Sequence, residues 1–360
     1  MLTLLKRLVE TESPSTEKAA VDHLGIIVAQ ECERLGARVA VHQKTSAGNL
    51  VEANWGEGQG RILMLAHMDT VFPLGTLSTM PYFEKDDKVF GPGVSDMKGG
   101  IVVALTAVAA LQTTGQLLRP ITILFTSDEE TGSQASRARI EELAAGSTLV
   151  LVLEPGMIDG ALKTWRKGVG EYTVTVRGRA AHAGGDHENG RNAIEEMAHQ
   201  VIAIQKMTDY SKGTTLNVGV VRGGIASNVV PAEAVIIVDL RVKQPNEAER
   251  INVQIHALQP VLDGTSIEVA GELNRPPMPF DDVMQATFEK AKGIAAGVNI
   301  DLKASGTGGA SDANFVAPFG IPVLDGLGPA GGEYHSEREY IFRDSLSERV
   351  KLVTALLHDW

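Results

Sequence analysis

Residues 61–70 read RILMLAHMDT, an apolar run that closes on a histidine and an aspartate two positions apart. In an extended strand positions i and i+2 share a face, so His67 and Asp69 leave the strand's carboxyl end in the same direction. A neutral imidazole can bind a metal ion through one ring nitrogen while a carboxylate fixes the other, which sets tautomer and orientation. Taken alone, the pair is more commonly a surface histidine beside a turn aspartate. Its meaning depends on what the other strand ends carry.

They carry acids. The stretch 91–100, GPGVSDMKGG, leads into an apolar helix expected over 101–111. Its glycines let backbone approach a ligand closely, and Asp96 sits just before the helix start, where a carboxylate is favoured even as a plain cap. Residues 120–125 are apolar and β-branched, read as a buried strand, and deliver TSDEETG. The adjacent carboxylates Asp128, Glu129 and Glu130 repel one another unless a cation compensates them; a metal ion would, and a solvated acidic turn is the alternative. A further apolar strand over 148–153 ends in Glu154 and Pro155. Three apolar strands thus end in an acid or a histidine, and in open α/β sheets ligands bind outside the carboxyl ends of strands.

The 360 residues exceed the ~100–200 of an ordinary single core, so two domains are expected. Helices are expected over 2–10 and 16–35, strands over 37–43, 49–54 and 61–66, and a helix over 135–144. The pattern changes at 168–170: strand 171–177, helix 191–210, strands 214–221 and 233–242, helix 246–262 and strand 265–270 follow. This β-α-β-β-α-β order is the ferredoxin-like split unit. After the return crossing NRPPMPF come helix 281–295, strand 299–304, the glycine loop SGTGGASDANF, a helix to 317, strand 321–324, GPAGGEYHSEREY and helix 345–360. The fold expected is α/β, with a mixed, mostly parallel sheet in a domain of residues 1–168 and 275–360, interrupted by an α+β domain of residues 169–274.

Hydrophobic residues make up 43% of the chain and charged residues 22%, a balance that supports sizeable cores. A formal net charge of -12 argues against nucleic acid, which needs clustered Lys and Arg, although one placed arginine can still bind an anion. Cys32 is the only cysteine, so no intrachain disulfide can form and any zinc must use His, Asp or Glu. MLTLLKRLVE holds Lys6 and Arg7 inside its apolar stretch and reads as an amphipathic helix, not a secretory signal. No run reaches the ~20 apolar residues of a bilayer span, so a cytoplasmic protein without membrane contact is expected.

HMDT, GPGVSDMKGG, DEETGS, LEP, RGRAAHAG, ASNVVP, the glycine loop and YHSEREY occur in that order across nearly the whole chain. The ordered set resembles the M20 family of metallopeptidases, and within it the glutamate carboxypeptidases of the carboxypeptidase G2 type. The resemblance implies a zinc-exopeptidase-like catalytic domain with two Zn2+ per chain, or Co2+ or Mn2+ in their place, bridged by Asp96. His67 and Glu154 would complete one metal, and Glu130 and His335 the other. Asp69 would hold His67, and Glu129 would be the general base acting on a water between the metals. The chemistry agrees, since N and O ligands suit Zn, Mn or Co, and paired metals can bring a bound water's pKa to ~7. Glu129 could then take the proton and pass it to the leaving amine.

The same resemblance implies that His182, in RGRAAHAG, reaches the partner subunit's metal site in a homodimer built through the inserted lid domain, where it polarises the scissile carbonyl. Asn228 and Arg241 match positions that bind the substrate's terminal carboxylate, a task suited to the planar guanidinium fork. Lys163, Gly308 and Gly309 complete the expected pocket. The implied reaction is hydrolysis of the amide bond of a C-terminal, glutamate-like residue in a peptide or N-acyl amino acid with a free carboxylate. The alternative is an N-acyl amino acid deacylase of the acetylornithine or succinyl-diaminopimelate type. A nucleotide-binding reading fails, because Ser311 replaces the third glycine of GxGxxG and no GK[ST] loop exists. A non-catalytic protein on this scaffold would be expected to lack a ligand or the base, and none is missing.

Overall fold

The computed structural model describes residues 1–360. The chain divides into two compact units, one of Met1–Trp165, Phe280–Thr307 and Ser311–Trp360, the other of Arg166–Pro279 and Gly308–Ala310.

The first unit opens with helices α1 (Leu2–Val9) and α2 (Lys18–Arg34) and strands β1 (Arg38–His42), β2 (Leu50–Trp55) and β3 (Ile62–His67). Hairpin strands β4 (Phe83–Lys85) and β5 (Lys88–Phe90), helix α3 (Gly99–Thr113), strand β6 (Ile121–Thr126), helix α4 (Arg137–Ala145) and strands β7 (Leu149–Val152) and β8 (Leu162–Arg166) follow. The second unit runs β9 (Gly168–Arg177), α5 (Ala193–Gln205), β10 (Thr215–Gly223), β11 (Glu233–Val242), α6 (Pro245–His256) and β12 (Ser266–Arg275). The first unit then resumes with α7 (Asp282–Gly297), β13 (Ala304–Thr307), α8 (Ala313–Val316), β14 (Val323–Asp325), β15 (Gly331–Gly332), β16 (Tyr340–Phe342) and α9 (Arg343–Asp359).

The large sheet has the order β1-β2-β6-β3-β7-β14-β8-β13. Its centre, β6, β3, β7 and β14, is parallel; β1–β2, β2–β6 and β14–β8 pair antiparallel. Every residue of β3, β6 and β7 is buried, as unbroken apolar strands covered on both faces should be. His67 pairs with Thr126 and Leu65 with Val152, so residues beyond these three strand ends emerge at one edge. Helix α3 packs against α9 and β3. The stretch Val94–Thr113 is long and apolar enough to span a membrane by length and composition alone, although it includes Asp96 and Lys98 and is regular helix only from Gly99. Most of it is buried inside the unit as a core helix.

The small sheet β15-β16-β5-β4 was not foreseen, because strands of two or three residues show no usable alternation. Cross-strand aromatic contacts hold it: Phe83 and Phe90 stack at 4.6 Å, and the Lys88 ammonium lies 3.7 Å over the Tyr340 ring. Strand β8 was also missed. Strand β13 begins at Ala304, not 299, since Asn299 takes left-handed backbone (φ 58) and the amide of Ile300 bonds back to the Ala295 carbonyl at 2.9 Å. That is a helix C-terminal cap.

In the second unit the antiparallel sheet has the order β10-β11-β9-β12, the ferredoxin-like arrangement. Alternation does the work of burial: Tyr172, Val174 and Val176 of β9 and Ile236, Val238 and Leu240 of β11 point into one core with residues of α5 and α6. Both helices end earlier than expected, at Gln205 and His256.

Candidate metal centre

His67, at the end of β3, is 2% exposed. Its Nδ1 lies 2.9 Å from the backbone carbonyl of Asp69 and 3.6 Å from the Asp69 Oδ1. The orienting contact expected of the Asp69 carboxylate is thus made by its carbonyl. The carboxylate, fully buried, instead accepts the N–H of Glu129 (Oδ1, 3.2 Å), the N–H of Glu130 (Oδ2, 3.2 Å) and the hydroxyl of Ser15 (Oδ2, 2.7 Å). Asp69 therefore holds the turn that presents both glutamates.

The Nε2 of His67 faces Asp96 Oδ1 at 3.0 Å and Glu154 Oε1 at 3.5 Å. The Nε2 of His335 lies 3.4 Å from Asp96 Oδ2 and 3.4 Å from Glu130 Oε2. Asp96 turns one oxygen toward each histidine, an arrangement that would let its carboxylate serve two metal ions. It reaches that position from a non-helical turn and not as a plain helix cap. Its backbone is extended (φ -112, ψ 93), a cis peptide joins it to Met97, and α3 begins only at Gly99. Ligand atoms of His67, Asp96 and Glu130 lie within 4.8 Å of one another, as do those of His67, Glu129 and Glu154. Proximity alone admits either adjacent glutamate as a ligand; the contact with His335 draws Glu130 to the second histidine.

The electrostatics are those of a site with surplus negative charge. Burial opposes protonation of His67, yet Asp69, Asp96 and Glu154 outweigh it and raise its pKa well above the ordinary value. Asp96 and Glu130 push His335 up to about 10. Burial, and then the charge of Asp96, raise Glu130. Burial also opposes the charge on Asp96, but His335 and His67 prevail and lower its pKa. A divalent cation would relieve all four. The Oε1 of Glu130 is buried without a hydrogen-bond partner, as a ligand atom would be in the absence of its ion. The donor set of imidazole and carboxylate fits zinc, cobalt or manganese.

Lys163 is buried in the same unit, close enough for its charge to help lower Asp96, with its ammonium 6.0 Å from the Tyr334 ring. A residue that sequence reasoning passed over is Glu339, whose carboxylate accepts backbone amides of the turn bearing Asp96. Burial raises its pKa to about 7 against the lowering effect of those bonds. Four positions after His335 in a charged run, it carries no apolar pattern that would have marked it as internal.

The remaining predicted residues belong to the second unit. His182 Nδ1 accepts the amides of Gly184 and Gly185 at 3.1 and 2.9 Å, which leaves Nε2 as the protonated nitrogen. Its neighbour Ala183 donates to the Asn228 carbonyl at 3.0 Å, so His182 and Asn228 sit side by side. Arg241 is already engaged: Nε and Nη2 meet the Asp239 carboxylate at 2.9 Å each. The Gly309 carbonyl accepts from Arg166 at 3.3 Å. A Cβ at Gly308 would meet nothing within 4 Å, so no close approach explains that glycine. Gly306 is different, because a Cβ there would collide with Trp165.

Residues 63–359 match the family described as Peptidase family M20/M25/M40. The chain belongs to this family. It is similar to carboxypeptidase G2 of Pseudomonas sp. (strain RS-16), 30% identical over 371 residues that cover 100% of this chain and 89% of that protein. It is also similar to acetylornithine deacetylase of Salmonella arizonae, 28% identical over 384 residues, with 99% and 97% covered. Its fold is similar to that of aminopeptidase PepT of Bacillus cereus, with a TM-score of 0.81 at 22% identity over 99% of this chain and 97% of that one. The cluster at the ends of β3, β6 and β7 is thus the candidate active site of an M20 metallohydrolase.

Proposed function

We propose that the chain uses two divalent ions, zinc or in its place cobalt or manganese, to hydrolyse the amide bond of a C-terminal acidic amino acid in a small peptide or N-acyl amino acid. The observation that carries this reading is Asp96, with one oxygen toward His67 and the other toward His335. His67 and Glu154 would hold one ion, His335 and Glu130 the other. Bound there, the ions supply Lewis-acid activation of the carbonyl and of water. Glu129, held by its own amide to Asp69, takes the proton of the attacking water and delivers it to the nitrogen as the C–N bond breaks.

The second unit favours an anionic substrate. Burial first, then the charges of Arg241 and Lys243, lower the pKa of Lys167, so three cations lie close together there. Such a cluster favours an anionic ligand. A substrate carboxylate would take the Arg241 fork from Asp239, with Asn228, Gly308 and Gly309 of the same unit beside it. The Nε2–H of His182 would donate to the scissile carbonyl.

We read the second unit as the site of homodimerisation. β10 is an edge strand, and on it, on α5 and just beyond, Ile194, Ile202, Val221 and Ile225 are 46%, 55%, 69% and 90% exposed. A dimer through this face would let His182 serve the partner subunit's metal site. Neither nucleic acid nor membrane enters this reading.

A second reading, N-acyl amino acid deacylation, is favoured by the similarity to acetylornithine deacetylase. A hydrolysis panel of N-acyl-glutamates, N-acetylornithine, N-succinyl-diaminopimelate, dipeptides and their C-terminal amides decides between them. Free-acid acylglutamates are expected to be cleaved fastest. Equal cleavage of amides removes the carboxylate pocket, and a wide lead for acetylornithine puts the deacylase in its place.

A further inference from the structure

Glu339 is 0% exposed, an uncommon situation for a carboxylate. Its Oε1 accepts the backbone N–H of Ser95 at 2.8 Å and of Asp96 at 3.0 Å, and its Oε2 accepts that of Gly93 at 3.3 Å. The turn it grips is irregular: Asp96 and Met97 depart from helical torsion, so these amides need an acceptor from elsewhere in the chain. Lys98, buried and donating to the Thr11 carbonyl at 2.9 Å, lies close enough for Glu339 to act on its charge. Glu339 also follows His335 on the connection between β15 and β16. One side chain therefore ties the turn that aims Asp96 to the loop that bears the second histidine.

We propose that Glu339 is a positioning residue of the metal centre: by holding the 93–96 turn it fixes the aim of Asp96 between His67 and His335. This role rests on the bridging reading of Asp96 given above. Glu339 touches neither substrate nor metal in it. What it supplies is three fixed amides and hence a fixed carboxylate, the outer-shell support on which ligand geometry depends.

Glu339→Gln in the full chain tests this by titration with Co2+. Glutamine keeps the size and one acceptor oxygen but turns an NH2 group toward a donor, so part of the grip is lost. The expected result is a folded protein whose Co2+ affinity is weakened about ten- to a hundredfold, with altered visible absorption and kcat lowered at little change in KM. Wild-type affinity, spectrum and kcat with only a lower melting temperature would overturn the proposal. Should the variant not fold, hydrogen exchange of the metal-free wild type decides. The amides of Ser95 and Asp96 are expected to exchange slowly, and fast exchange refutes the role. Asp96→Asn, measured alongside, separates the two readings. If it still takes up two Co2+ with the wild-type spectrum, the bridging assignment falls and the Glu339 role with it. Loss of Co2+ in Asp96→Asn beside an unaffected Glu339→Gln overturns only the latter.

Discussion

The two histidines of the candidate metal centre are built differently. His67 closes a central parallel strand, is 2% exposed, and has its ring anchored by the Asp69 carbonyl. His335 stands on a loop with left-handed backbone (φ 59), its side chain is 50% exposed, and its recorded partners are Asp96 and Glu130, themselves candidate ligands. One half of the site is therefore preformed by the sheet. The other half faces solvent and, on the proposed reading, would be completed by a cation that the carboxylates share. Open elements with few buried contacts move most easily, so ion exchange and substrate entry are expected on the His335 side.

The sharpest way to break this contrast is to remove each histidine in turn. His67→Ala is expected to lose both ions and all activity, because it opens the preformed half and releases Asp96. His335→Ala is expected to lose one ion and keep the other, as read by metal analysis after dialysis. Equal loss of metal in the two variants would erase the distinction.

Glu129→Gln comes next in size. It preserves shape while deleting the base, so kcat should fall by about 10²–10⁴ with both ions retained. Glu129 also lies within ligand distance of His67 and Glu154, so loss of metal in this variant would make Glu129 the ligand and reassign the base.

The smallest effect is on pH dependence. His335 is raised from 6.5 to about 10 in the metal-free protein. Its contribution to the stability of that form is complete below pH 6.5 and is lost as pH rises through about 10, so the melting temperature of the metal-free protein should fall across that window. Metal affinity should rise over the same window, because the ion displaces a proton, and calorimetry in buffers of different ionisation enthalpy should record that release. A flat affinity profile would mean that His335 is not a ligand.

Of the candidate site, His67, Glu129, Glu130 and Glu154 were legible because they close or follow the apolar strands β3, β6 and β7, whereas Asp96 and His335 stand on irregular turns and were marked only by the ordered motifs. ILMLAH and ITILFT are buried along their whole length, and chain connectivity then brings the acids that follow them out where ligands bind. The second unit was legible for a related reason, since its alternating strands and spaced helices permit few topologies. The details that failed were those with no periodic signature. Three-residue strands, the left-handed Asn299 and the early ends of α5 and α6 depend on local hydrogen bonds that apolar periodicity does not register.

From its residues alone the chain determined the α/β class, the insertion and the identity of the charged groups that gather at the strand ends, because burial of apolar runs dictates where polar ones must surface. Only the tertiary structure decided what those groups do to one another. Asp69 gives its carbonyl to His67 and its carboxylate to the amides of the glutamate turn. Arg241 is paired with Asp239, and Glu339, far along the chain, holds the turn of Asp96. Hydrogen bonds are made between atoms a few ångströms apart, and residues separated by more than two hundred positions reach that distance only when the sheet has closed.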